Sequence, residues 1–279
     1  MLRTMDVFSL KDIKNILKEY GIRPSKRLGQ NFLIREDVAD KVLEAGEISS
    51  SDTVLEIGPG LGSLTFKLAA SAKKVIAIEK DKRMADILKK SINNPNAEII
   101  RGDILKFNIN DLDLRDYKII SNLPYCISSP VIRKFLEEKK KPKLMVLMLQ
   151  KEVAQRIKAK PPFMNILAVS VQIYAQVEIK GYVSKKSFWP EPKVDSAIVK
   201  IIIKDNYLKE IKDIDMFFKI VKAGFSHPRK QILNNFSKVL KLEKKDTERW
   251  LEKNNIDSKR RAQTLKIEEW LVLYKTFHV

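Results

Sequence analysis

The sequence has little of several residue types, and each scarcity excludes a class of protein. A single cysteine, Cys126, excludes an internal disulfide, and two histidines, His227 and His278, argue against a zinc site. No apolar run reaches the roughly 18–20 residues that a membrane-spanning helix needs. Residues 1–20 lack a continuous apolar segment, which predicts an amphipathic helix and not a signal peptide. We therefore expect a soluble cytoplasmic protein without a bound metal and without a membrane partner.

Positive charge, by contrast, is abundant and uneven. The formal net charge is +19, yet residues 36–132 hold 13 basic and 15 acidic residues. Segments 1–35, 133–160 and 201–279 carry excesses of +5, +7 and +7. Basic segments that flank a neutral block favour a polyanionic partner, most simply nucleic acid. The alternative is a lysine-rich solvated surface; an anionic membrane fits less well because the basic segments are spread along the chain.

Short apolar strands alternate with helical periods from Thr53 onward. Strands are predicted at 53–57, 74–79, 97–101, 118–121 and 144–149, and helices at 61–70, 81–92 and 130–138. This alternation is typical of a parallel, doubly wound α/β sheet. Later strands near 176–182 and 196–203 predict an antiparallel hairpin at one edge. We assign residues 1–206 to this domain, with a helix and arm over 1–30, and residues 207–279 to a small all-α domain.

A glycine-rich loop, Glu56-Ile57-Gly58-Pro59-Gly60-Leu61-Gly62, follows the first strand of the sheet. Glycines there let the backbone approach a ligand closely. Glu79, at the end of the second strand, can accept both hydroxyls of a ribose, and Asp103, at the end of the third, can bind an adenine amino group. Together these strand ends predict a site for adenosine.

Two adenosine ligands compete for that site. A dinucleotide usually accompanies Gly-x-Gly-x-x-Gly, with its pyrophosphate at the helix N-terminus. Here the glycines stand at 58, 60 and 62, behind the acidic Glu56. A carboxylate beside the loop would attract a cationic sulfonium ligand with an amino group and would repel a pyrophosphate. The sequence therefore favours S-adenosylmethionine.

The tetrapeptide Asn122-Leu123-Pro124-Tyr125 ends the fourth strand. The Asn122 amide and the carbonyl of Leu123 or Pro124 can accept hydrogen bonds from an exocyclic amine, while the Tyr125 ring stacks on the base. Alone, the motif is also compatible with a plain strand-to-helix turn. Beside the cofactor loop, it predicts methyl transfer to the amino group of an unstacked base.

Three further segments complete the pattern: Leu28-Gly29-Gln30-Asn31-Phe32-Leu33, Phe188-Trp189-Pro190-Glu191-Pro192-Lys193-Val194-Asp195-Ser196 and Arg261-Ala262-Gln263-Thr264-Leu265. With all five motifs in this order, the chain resembles the KsgA-type ribosomal RNA adenine N6-dimethyltransferases. The resemblance implies a Rossmann-like methyltransferase in which Asn31, Leu33 and Gly58 contact the cofactor. It also implies that Phe188 and Tyr125 sandwich the target adenine.

The same resemblance implies that the small helical domain over 207–279 binds RNA, and it implies the substrate. Two adjacent adenines near the 3′ end of small-subunit (16S) rRNA would be dimethylated within a pre-assembled 30S-type particle, by a monomer that acts in ribosome biogenesis. One alternative is a large-subunit methyltransferase of the macrolide-resistance type, which Leu123, Gly29 and the Arg261–Leu265 motif disfavour. The other is a non-catalytic nucleic-acid-binding relative, which the intact motifs disfavour. Two segments depart from the family, residues 161–165 and residues 1–20, and the sequence assigns neither a role.

Overall fold

The computed structural model describes residues 6–204 and 206–277. Residues 1–5 of the predicted N-terminal helix, and His278, lie outside the described residues. The strands of the described chain are β1 Phe32–Leu33, β2 Thr53–Ile57, β3 Lys74–Glu79, β4 Ala97–Arg101, β5 Tyr117–Asn122, β6 Leu144–Gln150, β7 Ala175–Val183, β8 Phe188–Trp189 and β9 Ser196–Ile203. Its α-helices are α1 Leu10–Glu19, α2 Glu36–Gly46, α3 Thr65–Ser71, α4 Lys82–Ser91, α5 Ser128–Glu137, α6 Lys151–Ile157, α7 Ile166–Gln172, α8 Ile214–Gly224, α9 Ile232–Leu240, α10 Lys244–Lys253 and α11 Ile267–Lys275.

Among the described residues, seven strands form one sheet in the order β4-β3-β2-β5-β6-β9-β7. Strands β2 to β6 pair in parallel, with Leu55 beside Ile76 on one side and Ile119 on the other, and β9 runs antiparallel to β6. The predicted fold class is confirmed. The predicted strand bounds agree with the structure to within one residue at each end. Strand β6 is an apolar run buried on both faces, which a sequence displays directly, whereas the edge strand β4 is only partly buried.

Helices α2 and α3 cover the sheet with small and branched apolar side chains. Val38, Ala39 and Val42 of α2 are buried at helical spacing. They belong to a cluster that also contains Val54, Ile120, Val146, Leu68, Ala69 and Ile198. Burying each valine or leucine of this kind stabilises the fold by about 1.5–3 kcal/mol.

The predicted helix over residues 61–70 begins later than expected. Helix α3 starts at Thr65, because Gly58, Gly60 and Gly62 adopt φ values of 66°, 59° and 93°. A right-handed helix requires negative φ, so this stretch forms a loop. Helices α2, α6 and α7 were not predicted, and neither were the strands β1 and β8, whose two residues are too few to show a period.

By its internal contacts the chain divides into two units. The first unit runs to Ala154 and resumes over Val177–Ile203; the second comprises Gln155–Gln176 and the chain from Lys204 onward. Residues 155–176 thus group with the C-terminal helices, whereas the predicted boundary at 206 would place them in the first domain. Backbone bonds hold this segment within its unit, from Met164 N to Gln263 O (3.0 Å) and from Lys204 N to Tyr174 O (2.8 Å). That the helical region binds RNA stays a prediction.

Aromatic side chains form the core of the second unit. Trp270 is fully buried and stacks on Phe225 with ring centroids 5.3 Å apart, while Phe236 meets it edge-on at 6.3 Å. Gly224 lies so close that an added Cβ would come within 2.5 Å of the Trp270 ring. This packing explains why the region shows helical spacing throughout.

Candidate active site

A cavity of about 190 Å³ lies in the first unit, at the carboxyl ends of β2, β3 and β5. In an open parallel sheet this is where ligands bind, because the strand order reverses there. The cavity is lined by every residue predicted from the sequence except Phe188: Asn31, Leu33, Gly58, Glu79, Asp103, Asn122, Leu123, Pro124 and Tyr125.

Two glycines bring separate segments of backbone together at the cavity. Gly58, with φ of 66°, follows β2 and donates its N–H to the carbonyl of Ile78 at 2.9 Å. Gly29, with φ of 64°, lies in the arm, where an added Cβ would approach the Pro124 side chain at 3.2 Å. The arm that contains Asn31 therefore lies directly against the tetrapeptide.

Glu79 ends β3 with its carboxylate almost fully buried. One oxygen accepts the N–H of Gly60 at 3.0 Å and the other accepts the N–H of Asp81 at 2.8 Å. Burial raises the pKa of this carboxyl, and the backbone donors oppose that shift. Each carboxylate oxygen has a second lone pair, so Glu79 can still accept two hydroxyl groups of a ligand.

Asp103, at the end of β4, is more accessible. Its Oδ2 pairs with the Lys80 ammonium at 2.8 Å and its Oδ1 accepts the Leu105 N–H at 3.1 Å. The hydrogen bond from Lys80 holds the pKa of Asp103 below its usual range. Asp103 is therefore an ionised acceptor at the rim of the cavity.

Asn122 is fixed from two sides at the end of β5. Its Nδ2 donates to the carbonyl of Asn31 at 3.2 Å, which leaves the amide oxygen as the acceptor for an incoming group. The preceding Ser121 is fully buried and donates to the Ile57 carbonyl at 2.5 Å. This bond ties the ends of β2 and β5 together, so the glycine loop and the tetrapeptide keep a set spacing.

Tyr125 has a partner that the sequence reasoning missed. Its hydroxyl lies 2.7 Å from the Oγ of Ser196, a fully buried residue at the start of β9. Burial raises the pKa of Tyr125 above its usual value, so the hydroxyl stays protonated at neutral pH. The only signal for this contact was that Ser196 closes the Phe188–Ser196 motif.

Glu56 is the second buried carboxyl of the cavity. It is 2% exposed, and its Oε2 has no hydrogen-bond partner among the described residues. Burial raises the pKa of Glu56 to about 8, and the charge of Glu79 adds to that shift. An unpaired buried acceptor of this kind suits a ligand that carries a hydrogen-bond donor or a positive charge.

Phe188 does not join the other predicted residues. Pairing of β1 with β8 places it opposite Leu33, and its ring is 2% exposed within the hydrophobic cluster under α2. A ring in this position presents no stacking face to the cavity. The stacking role that the family resemblance implied for Phe188 stays a prediction, and this arrangement gives it no support.

The N-terminal helix, to which the sequence assigned no role, packs against the arm. Ile13, Ile16 and Leu17 of α1 pack in one cluster with Phe32 of the arm and Leu61 of the glycine loop. Gln30 of the same arm donates to Asp81 at 3.3 Å. Helix α1 is thus part of the structure that holds the arm over the cavity.

The residues of the cavity fit S-adenosylmethionine. Glu79 and Asp103 provide acceptors for a ribose and an adenine amino group, and Glu56 provides an acceptor for a cationic amine. A cationic amine would favour ionisation of the buried Glu56 carboxyl, whereas the negative charge of a pyrophosphate would oppose that ionisation and raise the pKa of Glu56 further. Fold and site together define an S-adenosylmethionine-dependent methyltransferase of the Rossmann-like class.

Comparison with known proteins gives the family. The model of the ribosomal RNA adenine dimethylase family matches residues 22–277, and the chain belongs to this family. A "Ribosomal RNA small subunit methyltransferase A" of Dehalococcoides mccartyi is 42% identical over 92% of this chain and 89% of its own. The protein of the same name from Alkaliphilus oremlandii is 40% identical over 96% of both chains.

Two solved structures resemble the chain closely. A dimethyladenosine transferase from Plasmodium falciparum has a TM-score of 0.73 and 32% identity, and covers 86% of this chain and 95% of its own. The 23S rRNA methyltransferase ErmE has a TM-score of 0.72 and 25% identity over 88% of this chain and 99% of its own. Within the described residues, no helix is long and apolar enough to span a bilayer, and no cluster of three potential metal ligands occurs.

Proposed function

We propose that this protein dimethylates the N6 amino group of two adjacent adenines near the 3′ end of small-subunit rRNA. The observation that carries the proposal is a single cavity in which an oriented asparagine amide, a tyrosine ring and two buried carboxyls converge. The protein acts as a cytoplasmic monomer on a pre-assembled small-subunit particle. Relatives named for small-subunit rRNA methylation, at about 40% identity over nearly the whole chain, support this substrate.

When bound, S-adenosylmethionine supplies the methyl group as an electrophile on a sulfonium. The chain's own residues hold and orient it. Glu79 would accept hydrogen bonds from the ribose hydroxyls, Asp103 would accept one from the adenine amino group, and Glu56 would face the positively charged end. Leu33 and Gly58 line the same cavity and would contact the cofactor there.

The target adenine is positioned by the tetrapeptide. The Asn122 amide oxygen accepts one N–H of the exocyclic amine. The Pro124 carbonyl already accepts bonds from Ile127 N (3.1 Å) and Ser128 Oγ (3.4 Å), which favours the Leu123 carbonyl as the second acceptor. Two acceptors draw the amine toward a tetrahedral shape, with its lone pair aimed at the methyl group.

Proton removal needs no strong base at this site. A methylated amine cation is acidic enough to lose its proton to water after the transfer. Tyr125 is a neutral hydroxyl engaged with Ser196, so the contribution of Tyr125 is the face of its ring. Alignment of the reacting atoms then provides the main acceleration.

Labelled methyl transfer tests the substrate. Undermethylated small subunits are expected to accept methyl groups, and free large-subunit RNA is not. Asn122→Ala should abolish turnover and leave RNA affinity nearly unchanged, because the amide acts mainly as the nitrogen becomes tetrahedral. Asn110→Ala, which removes an exposed amide outside the cavity, is the matched control.

Preferential methylation of large-subunit RNA would establish the alternative specificity, for which the 25% identical ErmE is the model. A protein that binds RNA and transfers no methyl group to either substrate would be a non-catalytic relative. Dimethylation of both adenines is read by mass spectrometry of the rRNA 3′ end, and a single modified adenine would contradict that part of the proposal.

A further inference from the structure

The connection between α6 and α7 presents an unusually exposed aromatic ring. Phe163 is 74% exposed, the highest value among the large hydrophobic side chains of the described residues. Pro162 beside it is exposed as well, and Ile166 is 38% exposed. None of these residues lines the cavity. A ring left in water forgoes the stabilisation that its burial would contribute.

The ring is exposed because the backbone around it is fixed. The Phe163 N–H donates to the Lys160 carbonyl at 2.8 Å, and the next N–H, of Met164, donates to Gln263 at 3.0 Å. The Met164 side chain is buried. Asn165 caps α7 by accepting the Ala168 N–H at 3.0 Å. Because these bonds and the buried Met164 side chain fix the backbone on either side of the ring, Phe163 is presented outward.

The segment around Phe163 is also purely basic. Between Glu152 and Glu178 the sequence has no acidic residue and three basic ones, Arg156, Lys158 and Lys160, all exposed. The Met164–Gln263 bond joins this loop to the turn that carries Arg261, which is exposed too. A flat apolar face among cations matches a ligand with both aromatic faces and negative charge.

We propose that Phe163 is a stacking site for an unpaired base of the rRNA, separate from the adenine that is methylated. Single-stranded RNA offers such bases, and its phosphates pair with the surrounding lysine and arginine side chains. The inference rests on the proposed RNA substrate. It gives a role to residues 161–165, the segment that departs from the family pattern.

Ring-specific substitutions test the site. Phe163→Leu keeps an apolar side chain and removes the ring; Phe163→Tyr keeps the ring. We expect Phe163→Leu to weaken binding to protein-free small-subunit rRNA by about fivefold or more, the lower end of base–aromatic stacking, and Phe163→Tyr to bind within twofold of the parent. KM for small-subunit particles should rise in parallel, with kcat and cofactor affinity unchanged. Val239→Ala, at another exposed apolar position of the same unit, is the matched control.

Each other outcome overturns the proposal. Equal RNA affinity of Phe163→Leu and the parent would make Phe163 a solvated side chain. A loss seen with intact particles and absent with protein-free rRNA would assign the surface to a ribosomal protein. Thermal unfolding of each variant distinguishes a binding effect from a folding defect. Because RNA affinity is measured apart from methyl transfer, a failure of this site is separable from a failure of the proposed activity.

Discussion

The bond between Tyr125 and Ser196 gives the sharpest test of how the target base is held. The two hydroxyl oxygens are 2.7 Å apart, and Ser196 is fully buried. A hydrogen bond between neutral groups contributes about 0.5–1.5 kcal/mol net, or roughly 2- to 13-fold in an equilibrium constant. A buried hydroxyl left without its partner costs about 1–3 kcal/mol.

Three variants separate the ring from its hydroxyl. Tyr125→Phe and Ser196→Ala each remove one partner, so each should lower the free energy of unfolding by about 1–3 kcal/mol and slow methyl transfer by no more than roughly tenfold. The double variant leaves neither hydroxyl unpaired and should be no worse than either single one. Tyr125→Ala removes the ring face as well and should weaken binding of the target adenine by about a further 1–3 kcal/mol.

Single-turnover kinetics on small-subunit particles, combined with denaturant unfolding, measure both effects. Tyr182→Phe is the matched control, because it removes the hydroxyl of an exposed tyrosine. If Tyr125→Phe were as inactive as Tyr125→Ala, the hydroxyl and not the ring would be the working group. Fully additive penalties in the double variant would show that the Ser196 bond does not position Tyr125.

Four further outcomes are expected. Glu79→Ala should weaken S-adenosylmethionine binding more than tenfold in calorimetry, since each charge-assisted bond to the ribose contributes about 1.5–3 kcal/mol; unchanged affinity would remove Glu79 from the site. Glu56 has a folded pKa of about 8, raised by burial, so its contribution to stability is present at low pH and is lost as the pH rises toward 8. The unfolding midpoint of the cofactor-free protein should therefore fall between the ordinary pKa of a glutamate and pH 8, and Glu56→Gln should make this fall smaller. Parallel pH profiles of the parent and the variant would contradict this. Phe188→Ala should lower the free energy of unfolding by about 3–5 kcal/mol, the cost of emptying a core position, whereas a ring that served only to stack on RNA would leave stability unchanged. Replacing Lys139 and Lys140 by glutamate should reduce the salt dependence of RNA binding by about 0.7–0.9 in log–log slope for each phosphate that is no longer neutralised, and an unchanged slope would make this run a solvated surface.

Local patterns in the sequence were sufficient to predict the strands of the sheet and the residues at their ends. Strands β2 to β6 each contain a short apolar stretch, and the glycine loop and Glu79 stand at the ends of β2 and β3. Parallel strands bring their carboxyl ends to one edge, so residues that are distant in sequence were predicted to meet in one cavity. The start of α3 was misplaced because hydrophobic spacing continues through a loop whose glycines have positive φ.

Contacts between distant segments needed the tertiary structure. The partner of Tyr125 lies 71 residues away, and the pairing of β1 with β8 that buries Phe188 joins residues more than 150 positions apart. Nothing local in either segment encodes such a pairing. The same is true of helix α1, whose amphipathic period was visible while its packing partners in the arm and glycine loop were not.

The sequence alone predicted the fold class, the cofactor loop and the methyl-transfer motif. Each of them depends on the hydrophobic period or the chemistry of residues that are neighbours in the chain. Which groups are buried, and what they touch, became known only from the folded molecule. Burial makes Glu56 a carboxyl with a raised pKa, and a single hydrogen bond makes Ser196 the support of Tyr125. Burial and hydrogen bonding depend on the summed packing of the whole unit, which no single segment of the chain contains.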